Sequence, residues 1–247
     1  MPHTDKTQRV TGSAVRKAYG EVTRQRDLDL FPFNYFIVRP LSFPIAAWFL
    51  RRGLNAMQVT FLGLWVLLLG LGLFVLPAVF DFTASIALIL SSSGAILINV
   101  WFALDDVDGS MARFAGTSSA RGALADSVTG QFYHILTPIA VGLFLWRTDI
   151  TGSAESIVFL IAGLSLAIII ASRIGISRTI SLKIPPENGT YNPPGTIARI
   201  GYLIESIKAP LLLLFAVLQL LLLWLITIGI LETVLYLRTI ARAYKKR

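Results

Sequence analysis

Residues 105–126 read DDVDGSMARFAGTSSARGALAD and form a polar connection between two apolar stretches of membrane length. This connection places the carboxylates of Asp105, Asp108 and Asp126 at the ends of those stretches. A carboxylate at membrane depth is energetically expensive and marks a functional site by default. The stretch therefore predicts a membrane fold and, at the ends of two of its helices, a site that uses acidic side chains.

The composition of the chain favours a membrane protein. It has 247 residues, of which 55% are hydrophobic and 15% are charged, and its mean hydropathy is +0.69. Soluble domains carry about 25% charged residues, so this chain has too few to cover a water-facing surface. The net charge is +8, and because the basic residues lie beside apolar runs, it favours attraction to anionic membrane lipids over a nucleic-acid partner. The absence of cysteine excludes disulfides and thiolate metal sites.

Six apolar runs, each of about 20 residues, are long enough to cross the hydrocarbon core of a bilayer. We expect six transmembrane helices, at about residues 57–76, 82–104, 122–146, 154–172, 198–218 and 221–240. The last two divide a region that has no turn signal, and this division rests on the positive-inside rule. With six spans, the basic C-terminus and the basic connections at 105–121 and 173–199 all lie in the cytosol with the N-terminus. On the fifth span, Glu205 and Lys208 are expected to neutralise each other at i and i+3.

The chain before the first span falls into two parts. Residues 1–30 are polar and mixed in charge, which predicts a flexible cytosolic tail. Residues 31–52 are rich in aromatic and aliphatic side chains, with three arginines and interrupting prolines. This pattern predicts an N-terminal amphipathic helix at the membrane interface, and a flexible linker is the alternative. We therefore expect an all-α integral membrane domain over residues 31–247.

The acidic residues have the spacing of a metal and phosphate site. Asp105 and Asp108 are three residues apart and share a helix face, and Asp126 falls in the first turn of the next span. Hard oxygen ligands of this kind suit Mg²⁺, Mn²⁺ or Ca²⁺, which in turn bind phosphates. Gly109 permits close approach to the backbone, and the guanidinium fork of Arg113 suits phosphate oxygens. The alternative is that the aspartates only cap helices or lie in a polar loop.

One run of the chain resembles the signature of the CDP-alcohol phosphotransferase family. It reads Asp105-x-x-Asp108-Gly109-x-x-Ala112-Arg113-x8-Gly122-x3-Asp126. The resemblance implies a six-span membrane enzyme with an N-terminal juxtamembrane helix, often a homodimer. Such an enzyme transfers a phospho-alcohol or phosphatidyl group from a CDP-linked donor to an alcohol acceptor and releases CMP. It would serve phospholipid or related lipid biosynthesis.

The resemblance also implies a role for each position of this signature. Divalent cations, Mg²⁺ or Mn²⁺, would be bound by Asp105, Asp108 and Asp126. Room for the cytidine nucleotide would be left by Gly109, Ala112 and Gly122. The phosphate of the donor would be contacted by Arg113. Before the first span, where the family often has Pro-Asn-x-Val-Thr, this chain has Ala56-Met57-Gln58-Val59-Thr60 and keeps the valine and threonine.

Gly130 departs from the family pattern, which has another Asp at this position as a metal ligand and proposed general base. His134, one turn further along the helix, is the candidate substitute base because histidine titrates near neutral pH; its alternative is a structural hydrogen bond to a neighbouring helix. Asp106 is a second candidate base. An acidic acceptor, such as a phosphate or carboxylate, would need no base. Finally, the chain could bind nucleotide or lipid without turnover, since losing a base costs about 10²–10⁴ in rate.

The sequence therefore favours a transferase that acts at the cytosolic surface, with a catalytically impaired binding protein as the main alternative. A transporter fits less well, because transporter sites usually lie near the bilayer midplane. Three basic residues after the fourth span could receive an anionic acceptor, although setting the topology is the simpler role for them. They are Arg173, Arg178 and Lys183.

Overall fold

The computed structural model describes residues 10–148, 157–182 and 195–245, and within these ranges the chain consists of helices and short connections. Six of the helices are long and apolar enough to cross a membrane. They are α4 (Ala56–Val79), α5 (Ala84–Ala115), α6 (Ala120–Thr148), α7 (Ile157–Leu182), α8 (Thr196–Val217) and α9 (Leu221–Lys245). The predicted all-α fold with six membrane-length helices is confirmed.

The helix α5 is longer than the sequence indicated. We expected the second span to end near residue 104, but α5 has 32 residues and continues to Ala115. It ends where Gly116 adopts a φ of +63° and the N–H groups of Gly116 and Thr117 bond back to the carbonyls of Arg113 and Ala112. This is the helix-terminating motif that glycine favours. The first part of the signature, from Asp105 to Arg113, therefore lies within a helix rather than in a loop.

The connection between α8 and α9 is a tight turn of residues 218–220. Gln219 adopts a φ of 58°, which is uncommon for a residue other than glycine. The N–H of Leu220 bonds to the carbonyl of Phe215 at 2.7 Å, and the N–H of Gln219 bonds to that of Ala216 at 3.2 Å. The predicted division into two spans is thus confirmed, and the turn uses a glutamine where sequence rules look for Gly or Asn.

The N-terminal segment differs from the predicted flexible tail. In its described part it forms α1 (Gly12–Lys17) and α2 (Glu21–Leu30). Val15, Tyr19 and Leu30 bury their apolar surface, and the buried Asp27 accepts a hydrogen bond of 2.6 Å from the Tyr19 hydroxyl. Val22 and Leu28 of the same segment are exposed, so three apolar residues and one hydrogen-bonded acid attach it to the core, which average composition does not report.

The residues predicted to form the amphipathic helix are also helical. A π-helical turn, Asn34–Val38, leads into α3 (Arg39–Arg51). One face of α3 buries Phe43, Ala46 and Ala47, while Leu41 and Trp48 are exposed. Its position at the membrane interface stays a prediction.

The chain divides into two compact units. The described residues of the first unit are 10–63, 102–126 and 195–206, and those of the second are 64–101, 127–148, 157–182 and 207–245. The first unit therefore holds α1 to α3 and the whole signature run of residues 105–126.

The second unit contains closely packed helices and a buried ion group. A Cβ atom built on Gly70 of α4 would lie 2.9 Å from the carbonyl oxygen of Gly94 on α5, so the two helices approach at backbone contact. Glu232 of α9 is fully buried and accepts hydrogen bonds from Lys208 of α8 and, at 2.8 Å, from Arg173 of α7. Lys208, which we expected to pair with Glu205 on its own helix, thus contacts an acid on a neighbouring helix.

Candidate functional site

The end of α5 carries the first part of the signature. Asp108 is 6% exposed, and its carboxylate accepts a hydrogen bond of 2.6 Å from the hydroxyl of Thr60 on α4. Thr60 is the threonine of the segment Ala56–Thr60, which resembles a family motif and forms the start of α4 in the structure. The Thr60 hydroxyl also lies 3.1 Å from the carbonyl oxygen of Ala56 on its own helix, and since it has a single hydrogen, Asp108 and Ala56 are alternative acceptors, of which Asp108 is the nearer.

Asp105 and Asp126 approach each other from α5 and the start of α6. Their carboxyl groups are within hydrogen-bonding reach, and Asp108 is close enough to interact electrostatically with both. Carboxylates in such proximity repel when ionised, and a proton or a cation relieves the repulsion. Their oxygen donors are the kind that Mg²⁺ and Mn²⁺ prefer. No group of three acidic, His or Cys side chains is spaced as ligands of one ion within the described residues, so the three carboxylates are neighbours without forming a ready-made coordination shell.

A cavity of about 380 Å³ lies beside these carboxylates. Ligand-binding cavities typically measure about 300–1,000 Å³, so a small phosphorylated compound fits this volume. Five of the signature residues line the cavity: Gly109, Ala112, Arg113, Gly122 and Asp126. Thr60 also lines it and connects it to Asp108. The structure therefore brings together the residues that the sequence assigned to nucleotide and phosphate, at the place where the acidic residues converge.

Arg113 is the cationic side chain of this cavity. Its Nε is buried and has no hydrogen-bond acceptor among the residues that the structure describes. The guanidinium lies 5.8 Å from the ring centroid of Tyr19, and its Nη2 is 3.5 Å from the Ser110 hydroxyl. A buried guanidinium N–H without an acceptor requires an explanation. A phosphate oxygen in the cavity is a suitable acceptor, because arginine binds phosphate through parallel N–H groups.

Asp106, the aspartate outside the signature spacing, belongs to a buried ion network. Arg39 of α3 contacts the Asp106 carboxylate at 2.9 Å and that of Asp27 at 3.1 Å. The other carboxylate oxygen of Asp106 accepts a hydrogen bond of 3.0 Å from Asn34. Both oxygens of Asp106 are thus bonded to the protein, which argues against its role as the substitute base.

The same network changes the ionisation of the N-terminal residues. Burial opposes ionisation of Asp27, but Arg39, the Tyr19 hydroxyl and Arg26 outweigh burial and hold the pKa of Asp27 below its usual value. The pKa of Tyr19 is raised by burial and by its hydrogen bond to Asp27. In the sequence, Arg39 falls in the predicted interfacial helix and Asp27 in the predicted flexible tail. Their partners are distant in the chain, so no local pattern could have identified the network.

The candidate base His134 and the Gly130 position lie on α6, in the second unit. His134 lines a cavity of only about 10 Å³ together with Thr137, Lys208 and Trp224. The Thr137 hydroxyl is buried there without a hydrogen-bond partner among the described residues. At Gly130, a built Cβ atom would meet no other atom within 4 Å, so this position has space for a side chain.

The three basic residues after the fourth span do not form one group in the described structure. Arg173 bonds to Glu232 in the buried ion group. The side chain of Arg178 and the whole of Lys183 lie outside the described part of the chain. A role for the three in binding an acceptor therefore stays a prediction.

No protein-family model and no curated protein matches this chain. The family resemblance accordingly rests on the residues of the signature run.

Proposed function

We propose that this chain is an integral-membrane transferase of the CDP-alcohol phosphotransferase kind. It moves a phospho-alcohol or phosphatidyl group from a CDP-linked donor to an alcohol acceptor and releases CMP. The observation that carries the proposal is the cavity of about 380 Å³ in which Gly109, Ala112, Gly122 and Asp126 surround the unsatisfied guanidinium of Arg113. Small residues and a phosphate-binding cation in one cavity are what a nucleotide diphosphate requires.

The residues of the site divide the work of binding the donor. Arg113 binds a phosphate of the donor, and Gly109 lies directly beside the guanidinium, since a Cβ atom built on it would be in van der Waals contact with the Arg113 nitrogens at 3.4 Å. Asp105, Asp108 and Asp126 hold Mg²⁺ or Mn²⁺, with Thr60 orienting Asp108. The cation supplies neutralisation of the charge on the donor phosphates.

The transfer itself exchanges one P–O bond for another. The acceptor hydroxyl oxygen forms a bond to the phosphorus of the transferred group, and the bond from that phosphorus to the CMP oxygen breaks. CMP leaves with the electron pair of the broken bond, while the proton of the acceptor hydroxyl passes to a base. His134 is the candidate for this base, since Gly130 has no side chain. An acceptor that is already anionic at its attacking oxygen releases no proton, and its transfer needs no base.

The second candidate function is binding of nucleotide or lipid without turnover. The observation in its favour is Gly130, because a site without a positioned base loses about 10²–10⁴ in rate and keeps its binding affinity. The cellular setting is common to both functions. We propose that the site and both termini face the cytosol, that the chain serves phospholipid or related lipid biosynthesis, and that it forms homodimers.

A test begins with the purified full-length protein, Mg²⁺ or Mn²⁺, and a panel of CDP-alcohols and alcohol acceptors, with CMP release as the measurement. We expect release by the wild type and a loss of at least about 10²-fold in Asp108→Asn, since both a metal ligand and the Thr60 contact change. Asp81→Asn is the matched control, because Asp81 is exposed and outside the site.

Calorimetry separates the two functions. Asp108→Asn should weaken the binding of the cation and of a CDP-alcohol. Binding to the wild type without CMP release for any donor would support the binding protein. Unchanged cation and nucleotide affinity in Asp108→Asn would refute the metal site, and a wild type that binds neither a cytidine nucleotide nor a lipid would refute both functions.

A further inference from the structure

A second, larger cavity lies at the N-terminal end of the first unit. It has a volume of about 700 Å³ and is bounded by α1, α2, the π-helical turn and α3. Its lining shares no residue with the candidate transferase site. We call it the N-terminal groove, and its basic and aromatic lining is formed chiefly by Arg16, Lys17, Arg24, Tyr35 and Phe36.

The N-terminal groove carries an excess of positive charge. Arg16, Lys17 and Arg24 are exposed and cationic, whereas Glu21 is the acid in the lining. Arg39 also lines the groove, but its charge is balanced by Asp27 and Asp106. Arg24 is held in place because its Nε donates to the Tyr35 hydroxyl at 3.1 Å. An anion that enters the groove therefore meets cations whose positions are partly fixed.

Phe36 lines the groove with these cations, and Ile37 and Leu41 follow it in the chain as exposed apolar residues. Phe36 is 65% exposed, Leu41 60% and Ile37 50%. Exposed apolar residues next to a basic surface are typical of a protein face that lies in the membrane interface. The chain between Arg51, where α3 ends, and Ala56, where α4 begins, reaches at most about 18 Å. The C-terminal end of α3 is therefore tethered close to the start of the first membrane-length helix.

We propose that the N-terminal groove binds the headgroup of an anionic phospholipid from the surrounding membrane. The phosphate and any further negative charge of the headgroup contact Arg16, Lys17 and Arg24. The acyl chains lie along Phe36, Ile37 and Leu41. The charge and the apolar residues together specify this ligand. A soluble phosphate compound has no acyl chains to contact the apolar residues, and a zwitterionic lipid has no net negative charge to match the excess positive charge.

The test uses the full-length protein in detergent and counts bound lipid by native mass spectrometry. The probes are phosphatidylglycerol, phosphatidylcholine with the same acyl chains, and glycerol 3-phosphate. We expect phosphatidylglycerol to bind in preference to both others. Arg16→Gln should weaken its binding about fivefold, since each basic residue near a membrane surface contributes about that factor.

Arg52→Gln is the matched control. Arg52 is also an exposed arginine near the membrane, but it lies over the ring of Trp48 at 4.8 Å and outside the groove. An equal loss in both variants would mean general attraction to anionic lipid and would overturn the proposal. Equal binding of phosphatidylcholine, or competition by glycerol 3-phosphate at similar concentration, would overturn it as well. If Arg16→Gln unfolds early in a thermal melt, Lys17→Gln, which changes a second exposed cation of the groove, decides in its place.

Discussion

Gly130 is the residue at which this chain departs from the family pattern, and the structure allows that departure to be reversed. A side chain there meets no atom within 4 Å at its Cβ, so Gly130→Asp is free of a steric penalty at that atom. We expect this variant to raise CMP release, or to create it, because it restores a carboxylate as metal ligand and base. The measurement is CMP release with Mg²⁺, and Gly130→Ala is the control for loss of the glycine alone. Failure of Gly130→Asp to release CMP would favour the binding protein.

His134 gives the complementary prediction. If it takes the proton of the acceptor, His134→Ala should remove most turnover while affinity for the CDP-linked donor changes by less than about tenfold, because a base acts in the transition state. The measurements are CMP release and calorimetry with the donor. Full turnover in His134→Ala would exclude the substitute base and point to an acidic acceptor.

Asp27 makes the stability of the fold depend on pH. Its pKa is lower in the folded chain than in the unfolded one, chiefly through Arg39 against the effect of burial. The ionised carboxylate therefore stabilises the fold above about pH 4, and this contribution is lost as the pH falls through the folded pKa, since the unfolded chain takes up the proton first. We expect Tm to fall more steeply between pH 5 and pH 3 in the wild type than in Asp27→Asn. Parallel curves would show that Asp27 contributes nothing.

At the scale of single residues, the sequence identified the residues of the candidate site but not the ion pairs that hold the surrounding helices together. The family resemblance assigned Gly109, Arg113 and Gly122 to one nucleotide and phosphate site, and in the structure all three line the same cavity. Arg39 was out of reach, since its partner Asp106 is 67 residues away in the chain. Pairing over such a distance depends on tertiary packing rather than on any local pattern.

Among the elements, the contact between α4 and α5 depends on two glycines. Gly70→Ala should destabilise the protein by about 1–3 kcal/mol, because its Cβ would lie 2.9 Å from the Gly94 carbonyl oxygen. Gly72→Ala, on the same helix, has open space around its Cβ and should be neutral or slightly stabilising. Thermal melts in detergent compare the two. Equal Tm values would mean that the helices separate at no cost.

The ends of the elements were harder to predict than the elements themselves. Helix α5 continues through the aspartates, because the buried contacts of Asp106 with Arg39 and of Asp108 with Thr60 stabilise polar residues within a helix. Composition alone suggested a polar loop at this place. The sequence also showed no turn signal at Gln219, because its left-handed conformation depends on the two helices that it joins.

For the molecule as a whole, the number of spans predicts the topology. If all six membrane-length helices cross the membrane, the C-terminus returns to the side of the N-terminus, and by the positive-inside rule the basic residues predict that this side is the cytosol. We expect tags at both ends to be accessible from the cytosol in intact cells. A tag at residue 247 that is accessible only from outside would contradict the topology and favour five spans.

The six membrane-length helices could be predicted because the length of an apolar run is read directly from consecutive residues, without knowledge of tertiary contacts. A run of about 20 apolar residues is long enough to cross the bilayer, whichever helices pack against it. The N-terminal helices did not follow in this way. Tyr19 and Asp27 become ordered through a hydrogen bond to each other and through Arg39, so their structure depends on a surface that the rest of the fold provides.

The three-residue turn at Gln219 has a consequence for how the protein enters the membrane. From Val217 to Leu221 the chain reaches at most about 14 Å, so α9 begins at the membrane face where α8 ends. We expect the two helices to insert together as a hairpin. Lys208 and Glu232 lie on opposite arms of that hairpin and are bonded to each other. The newly made chain thus carries these two ions through the hydrocarbon as a neutral pair, which lowers the barrier that either charge would face during insertion.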